Sequence, residues 1–242
     1  MKVYIQTDAR GFPHHYDFFK AYKGFQEFGA EFSFFETPNG LEASQPQDIV
    51  VGYVGIVANR LRELHFTVPV FDYPDELSKY LGRKMWRSTI NTINSHPEMW
   101  PVFVKSEENK KITGVLVQAP KDLEGCGDCY SDEVVLCSEP IELVTEWRCF
   151  VRYGHILDVR HYKGDWRTYL DFRVVEQAVK DFVTAPAGYA MDMGLTKEGK
   201  TVLIEVNEGY ALGSYGLFYV DYAKLLSARW AELTGTEDEL NF

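Results

Sequence analysis

The sequence predicts an α/β protein that becomes α+β in its later part. Strand-like and helix-like patterns alternate over the first 75 residues, paired strand patterns broken by glycine turns fill much of the remainder, and a periodic amphipathic helix follows them. A chain of 242 residues, 45% hydrophobic and 25% charged, suits one large domain or two to three small lobes around a cleft.

The elements follow in order. "MKVYIQ" reads as a strand and "TDARGFP" as a loop. "HHYDFFKAYKGFQEFGA" places Tyr16, Phe19, Tyr22 (or Lys23) and Phe25 or Gln26 near helical spacing, with Gly29 as the stop. "EFSFFET" alternates as a second strand, and "DIVVGYVG" is an apolar run suited to a sheet covered on both faces. "ANRLRELHF" predicts a short helix and "VPVFDYP" a strand or edge segment. "ELSKYLGRKMWRSTINTI" predicts a helix, which would carry Lys84 beside Arg83 and Arg87. Strands are expected in "WPVFVKS", "ITGVLVQAP", "VVLCSEPI", "TEWRCFVRYG", "HILDVRHYKGD", "GYAMDMGLT" and "KTVLIEVN", with a helix in "RVVEQAVKDFVTA". "RYGH" and "TKEGKT" read as hairpin turns, and "FYVDYAKLLSARWAEL" as the amphipathic helix.

Composition narrows the function. The net charge of −11 disfavours non-specific nucleic-acid binding, which relies on Lys and Arg neutralising phosphates. No 18-residue apolar run predicts a membrane span, and the first residues lack the apolar core of a signal peptide. The expected location is cytoplasmic, where Cys126, Cys129, Cys137 and Cys149 would be thiols. "CGDC" supplies half a zinc site, but Cys137 and Cys149 do not repeat its spacing, so a solvent loop is the preferred reading. His14 and His15, after "GFP", read as capping or surface residues, with a substrate contact at the lobe edge as the alternative.

The polar residues that interrupt late strands carry the chemistry. In "LIEVN" Glu205 and Asn207 alternate with apolar residues and so share a face. Asp192 in "AMDMG" precedes them across the "TKEGK" turn, opposite Glu205 or Asn207. Oxygen ligands from two adjacent strands suit Mg²⁺. Lys84, Lys105, Arg148 and Arg160 sit on or beside apolar segments, where a lone charge is costly unless paired. Mg²⁺ with converging Lys and Arg neutralises a triphosphate. Plainer roles stand beside these: an edge-strand charge for Lys105, pairing with Glu146 for Arg148, and pairing with Asp158 for Arg160.

The order Lys, Lys, acidic hinge, E-x-R, Asp, E-x-N over residues 75 to 220 resembles the ATP-grasp superfamily. That resemblance implies an ATP-grasp fold, with a Rossmann-like α/β lobe over residues 1–75, a central subdomain with a phosphate loop over 76–138 and a C-terminal subdomain over 139–242. It implies that Lys84 and Lys105 touch the nucleotide phosphates. In "CSEPIE" it assigns Glu139, Pro140 and Ile141 to adenine and Glu142 to the ribose. It makes Arg148 a phosphate or acylphosphate contact, Arg160 a basic group facing substrate or the γ-phosphate, and Asp192, Glu205 and Asn207 the Mg²⁺ ligands. The implied cofactors are ATP and Mg²⁺. The implied activity joins a small-molecule or peptide carboxylate to an amine or thiol through an acylphosphate, releasing ADP and phosphate. The alternative is a non-catalytic or phosphotransferase-type nucleotide-binding protein on the same fold. One departure stands out: the loop after Lys105 reads "SEENKKITG", with Lys110 and Lys111 and a single glycine where the family's loop is rich in Gly and Ser.

Overall fold

The computed structural model describes residues 1–69, 73–106, 114–126 and 132–242. Two compact units emerge: Met1–Tyr80 together with Val144–Phe242, and Leu81–Leu143.

The first unit begins with β1 (Lys2–Gln6), β2 (Glu31–Phe35) and β3 (Ile49–Val51), a parallel sheet in the order β2-β1-β3. Parallel neighbours need a crossover, and α1 (Tyr16–Glu27) supplies the one from β1 to β2. His15 caps this helix, its ring nitrogen accepting the Asp17 N–H at 3.3 Å. α2 (Val54–Glu63) follows β3 and starts four residues before the helix expected from "ANRLRELHF". The expected "VPVFDYP" strand includes residues 70–72, which lie outside the described residues.

The second unit holds β4 (Met85–Thr89), α3 (Ile90–Ser95), β5 (Val102–Ser106), β6 (Val115–Val117) and β7 (Val134–Ser138). Its sheet runs β4-β7-β5-β6, with Val104, Val135 and Cys137 in its own core. Here the helix expected over "ELSKYLGRKMWRSTINTI" is corrected. Asp75–Tyr80 forms a tight 3₁₀ turn, Gly82 takes φ +64°, and residues 85–89 pair with β7 as a strand. Pairing to a buried strand outweighs the helical propensity of the segment, and Trp86 packs against the core from it. Lys84 lies just before that strand instead of on a helix.

The chain then returns to the first unit through β8 (Leu143–Arg152), β9 (His155–Gly164), α4 (Phe172–Asp181), β10 (Gly188–Thr196), β11 (Thr201–Glu208) and α5 (Tyr219–Thr234). The strands form a sheet in the order β11-β10-β8-β9, with the turns expected at "RYGH" and "TKEGKT". The parallel sheet, α1, α2 and α5 share one core with Phe150, Ala190 and Leu212. No described helix is long and apolar enough to cross a membrane.

α1 buries Phe18, Ala21, Gly24 and Phe25, while Tyr16 and Phe19 of the expected stripe are exposed. The reason is its contact with α5. A Cβ on Gly24 would lie 2.1 Å from the Tyr219 carbonyl oxygen and 2.8 Å from the Ala223 Cβ. Backbones this close admit only small residues, so the helix turns its larger rings away. Gly24→Ala is therefore expected to push α1 from α5 and cost about 1–3 kcal/mol in urea unfolding. A loss below roughly 0.5 kcal/mol, the range of ordinary surface substitutions, would contradict this packing account.

Candidate active site

Four charged residues cross the antiparallel sheet of the first unit. Asp192 on β10 stands opposite Glu205 on β11, and Arg148 on β8 stands opposite Arg160 on β9. The two pairs meet through Arg148, whose Nε and Nη2 donate to the two Asp192 oxygens, both at 2.7 Å. A β-bulge follows the acids: Asp192 pairs with Glu205 and Met193 with Leu203, leaving Ile204 as an extra residue. Because of that extra residue Leu203 packs into the core while Glu205 and Asn207 are only half-buried. Asn207 Nδ2 donates to Asp192 Oδ2 at 3.2 Å. Arg148 thus pairs with Asp192, and the plainer expectation of Glu146 is not met. Glu146 instead accepts from Tyr162 Oη at 2.9 Å and from Lys163 Nζ at 2.6 Å.

Burial sets the electrostatics. Arg148 is 6% and Asp192 4% exposed, so water screens neither charge. Burial pushes the Asp192 carboxyl above its ordinary range and Glu205 adds to that, while the Arg148 guanidinium pulls it down. Burial also works against the Arg148 charge, but the bonds to Asp192 prevail and leave the guanidinium more basic than usual. The geometry is that of an ionised pair: a protonated carboxyl would turn its own O–H toward one of the two donors.

Two tyrosines that sequence reasoning missed enclose this arginine. The Arg148 guanidinium lies 4.3 Å from the Tyr215 ring centroid and 6.0 Å from that of Tyr162, close enough for cation–π attraction. Tyr215 adopts φ +40°, uncommon for a residue with a side chain. Gly213 makes room for it, since a Cβ there would meet the ring at 3.1 Å, and its carbonyl accepts Arg148 Nη1 at 3.4 Å. The glycine-rich bend was visible in the sequence; that its tyrosine caps the arginine depends on the fold.

Arg160 does pair with Asp158, Nη2 to Oδ2 at 2.5 Å, as its plainer reading expected. Its Nε is nevertheless buried with no hydrogen-bond partner among the described residues, and the side chain is 42% exposed, so the group keeps a donor to offer.

The other candidates lie in the second unit. Glu139 and Lys84 meet: the Lys84 N–H donates to Glu139 Oε2 at 3.0 Å and the Glu139 N–H to the Lys84 carbonyl at 3.1 Å. Pro140, Ile141 and Glu142 follow in the segment that leaves β7. Lys105 stands opposite Leu136, and so does Arg87 from the other side. The sheet register therefore places Arg87, and not Lys84, in the row of Lys105. Arg87 was visible only as a competitor of Lys84, because the strand that carries it reads as a helix. Lys110 and Lys111 lie outside the described residues, as does Cys129. Among the described residues no three His, Cys, Asp or Glu side chains cluster as a metal site.

The donor set of Asp192, Glu205 and Asn207 fits a hard cation, since it offers only carboxylate and amide oxygens from adjacent strands. Asp192 Oδ1 accepts from Arg148 and Oδ2 from both Arg148 and Asn207, so Oδ1 keeps a lone pair for a cation while the arginine stays in place.

A family model described as ATP-grasp domain, R2K clade family 2, matches residues 80–225. No match is found among the curated proteins. Several solved structures share the fold. N5-carboxyaminoimidazole synthetase from Staphylococcus aureus aligns with a TM-score of 0.63 at 12% identity, over 98% of this chain and 77% of that one. D-cycloserine synthetase aligns with a TM-score of 0.60 at 12% identity, over 95% and 100% of the two chains. D-alanine–D-alanine ligase from Bacillus anthracis aligns with a TM-score of 0.59 at 12% identity, over 97% and 98%.

Removing one partner of the buried ion pair should be far costlier than removing both. Arg148→Met alone is expected to cost about 3–5 kcal/mol in urea unfolding, because Asp192 is left charged and unpaired. Adding Asp192→Leu should recover most of that loss. Additive losses in the double variant would refute the pairing.

Proposed function

Because this chain belongs to the ATP-grasp domain family, R2K clade family 2, we propose that it is an ATP-dependent ligase joining a carboxylate to an amine (or thiol) through an acylphosphate. The observation that carries this reading is the row Glu205, Asp192, Arg148 and Arg160 across one sheet, with Asn207 beside it. Oxygen ligands and guanidinium groups side by side suit a triphosphate and its metal, and no nucleophile–base pair is needed. Transfer of a phosphoryl group depends mainly on positioning and on neutralising charge.

In this reading Lys84 and Lys105 contact the nucleotide phosphates, Glu139 with the Pro140 and Ile141 backbone receives adenine, and Glu142 the ribose. Asp192, Glu205 and Asn207 would hold Mg²⁺, which when bound draws charge from the β- and γ-phosphates. Arg148 supplies a cation already desolvated and stacked on Tyr215. In leaving Asp192 it would turn to the transferring phosphoryl group, freeing carboxylate oxygens as it does so. Arg160 offers its unpartnered Nε to the same charge. The substrate carboxylate oxygen attacks the γ-phosphorus and ADP leaves; the nitrogen or sulfur nucleophile then attacks the acyl carbon and phosphate leaves.

Incubation with ATP, Mg²⁺ and mixed amino acids or short peptides should release ADP and phosphate in step with a condensed product. AMP and pyrophosphate would point to a different mechanism, and a phosphorylated product without condensation to a phosphotransferase. Glu205→Gln is expected to lower turnover by about 10²-fold or more while the thermal midpoint stays near the parent value. Full activity in that variant would remove the metal role.

A further inference from the structure

A separate cavity of about 270 Å³ lies within the first unit, where α1 starts, β3 ends and the bend after β11 passes. It shares Gly213 with the surroundings of Arg148. Its size is at the small end for a ligand pocket, suited to a molecule about as large as one amino acid.

The walls are aromatic. Phe18 and Tyr53 meet edge to face with centroids 5.0 Å apart, and His15 packs on both at 5.0 and 5.8 Å. Tyr222 is also in the lining, held by a 2.7 Å bond from its hydroxyl to the Leu212 carbonyl. The charge has one sign: Asp17 lines the cavity and no Lys or Arg does.

Asp17 is fixed with one oxygen to spare. Its Oδ1 accepts the Ser214 N–H at 3.0 Å and the Ser214 hydroxyl at 2.5 Å. Its Oδ2 lies 3.6 Å from His15 Nδ1. That nitrogen already accepts the Asp17 N–H, so it has no proton to give the carboxylate. Among the described residues no other hydrogen bond reaches Oδ2. A rigid carboxylate with an unused oxygen, ringed by aromatic faces, selects an ammonium group over an anion.

We propose that this cavity binds the acceptor substrate, a small primary amine whose ammonium form rests against Asp17 and whose aromatic or branched apolar group packs against the aromatic wall that Phe18 and Tyr53 form together. This assignment rests on the ligase reading for the word acceptor, but the binding itself does not require ATP.

The test uses the full chain without nucleotide, titrated with phenethylamine, its N-acetyl derivative and 3-phenylpropionate, followed by ligand-observed NMR. Phenethylamine should bind at least about tenfold more tightly than the other two, the size of a charged hydrogen bond. Asp17→Asn, which keeps an oxygen for Ser214, should erase that preference, and Tyr53→Ala should weaken the amine by about fivefold or more, given the loss of a ring wall. Equal binding of the three probes, preference for the carboxylate, or no binding would overturn the proposal. If Asp17→Asn does not fold, unchanged amine affinity in Tyr53→Ala overturns it instead. ADP with Mg²⁺ is titrated separately: amine binding without nucleotide binding sinks the ligase reading and spares the cavity, and the reverse result spares the ligase reading alone.

Discussion

Two opposite charges removed from water must stay together, and the Arg148–Asp192 pair holds the centre of the first unit on that condition. Neither residue is tolerable alone at such depth, so β8 and β10 are held in the one alignment that brings a guanidinium fork onto a carboxylate. Everything nearby adapts to that requirement. Asn207 donates to the same acid, Gly213 turns a carbonyl toward the arginine, and Tyr215 takes an unfavourable backbone angle to cover it. The bulge at Ile204 lets Glu205 face the pair while Leu203 and Val206 enter the core.

The bend after β11 links this pair to the start of the chain. Asp17 on α1 binds both the N–H and the hydroxyl of Ser214, and Lys20 Nζ donates to the Leu217 carbonyl at 2.8 Å. These contacts span almost 200 residues of sequence. They fasten the bend, and so the cap over Arg148, to the helix that lies closest against α5 through Gly24. The parallel sheet and the antiparallel sheet thereby act as one support, and the aromatic cavity occupies the place where they join. The packing of α1, the cap and the cavity are in this sense one feature, which explains why Gly24, Ser214 and Gly213 are all small.

Much of the fold was legible because local patterns agreed with the tertiary result. The strands "KTVLIEVN" and "TEWRCFV" alternate as sheet residues must, the hairpin turns contain glycine where positive φ is needed, and the C-terminal helix is amphipathic. The reading failed where pattern was ambiguous. "GRKMWRSTINTI" has helical spacing and a strand's alternation at once, and only the presence of β7 alongside decides between them. In α1 two apolar stripes compete, and the contact with Ala223 and Tyr219 selects the one containing Gly24. The nearness of Asp192, Glu205 and Asn207 was legible from residue type and spacing, but their other neighbours were not. The plainer reading of Arg148 offered Glu146 by proximity in sequence, whereas its partner is 44 residues away.

By itself, then, the sequence determined most of the elements outside residues 76–93, the face shared by Glu205 and Asn207, and the acid–amide and guanidinium groups that suit a charged nucleotide. Those follow from side-chain chemistry and the two-residue period of a strand, which need no distant partner. Only the tertiary structure decided which charges pair, that Tyr162 and Tyr215 enclose Arg148, that Arg87 joins the row of Lys105, and that Asp17, bonded to Ser214 through one oxygen, lines an aromatic cavity. Each of these depends on strand register or on segments far apart in the chain, and neither is specified until the core packs.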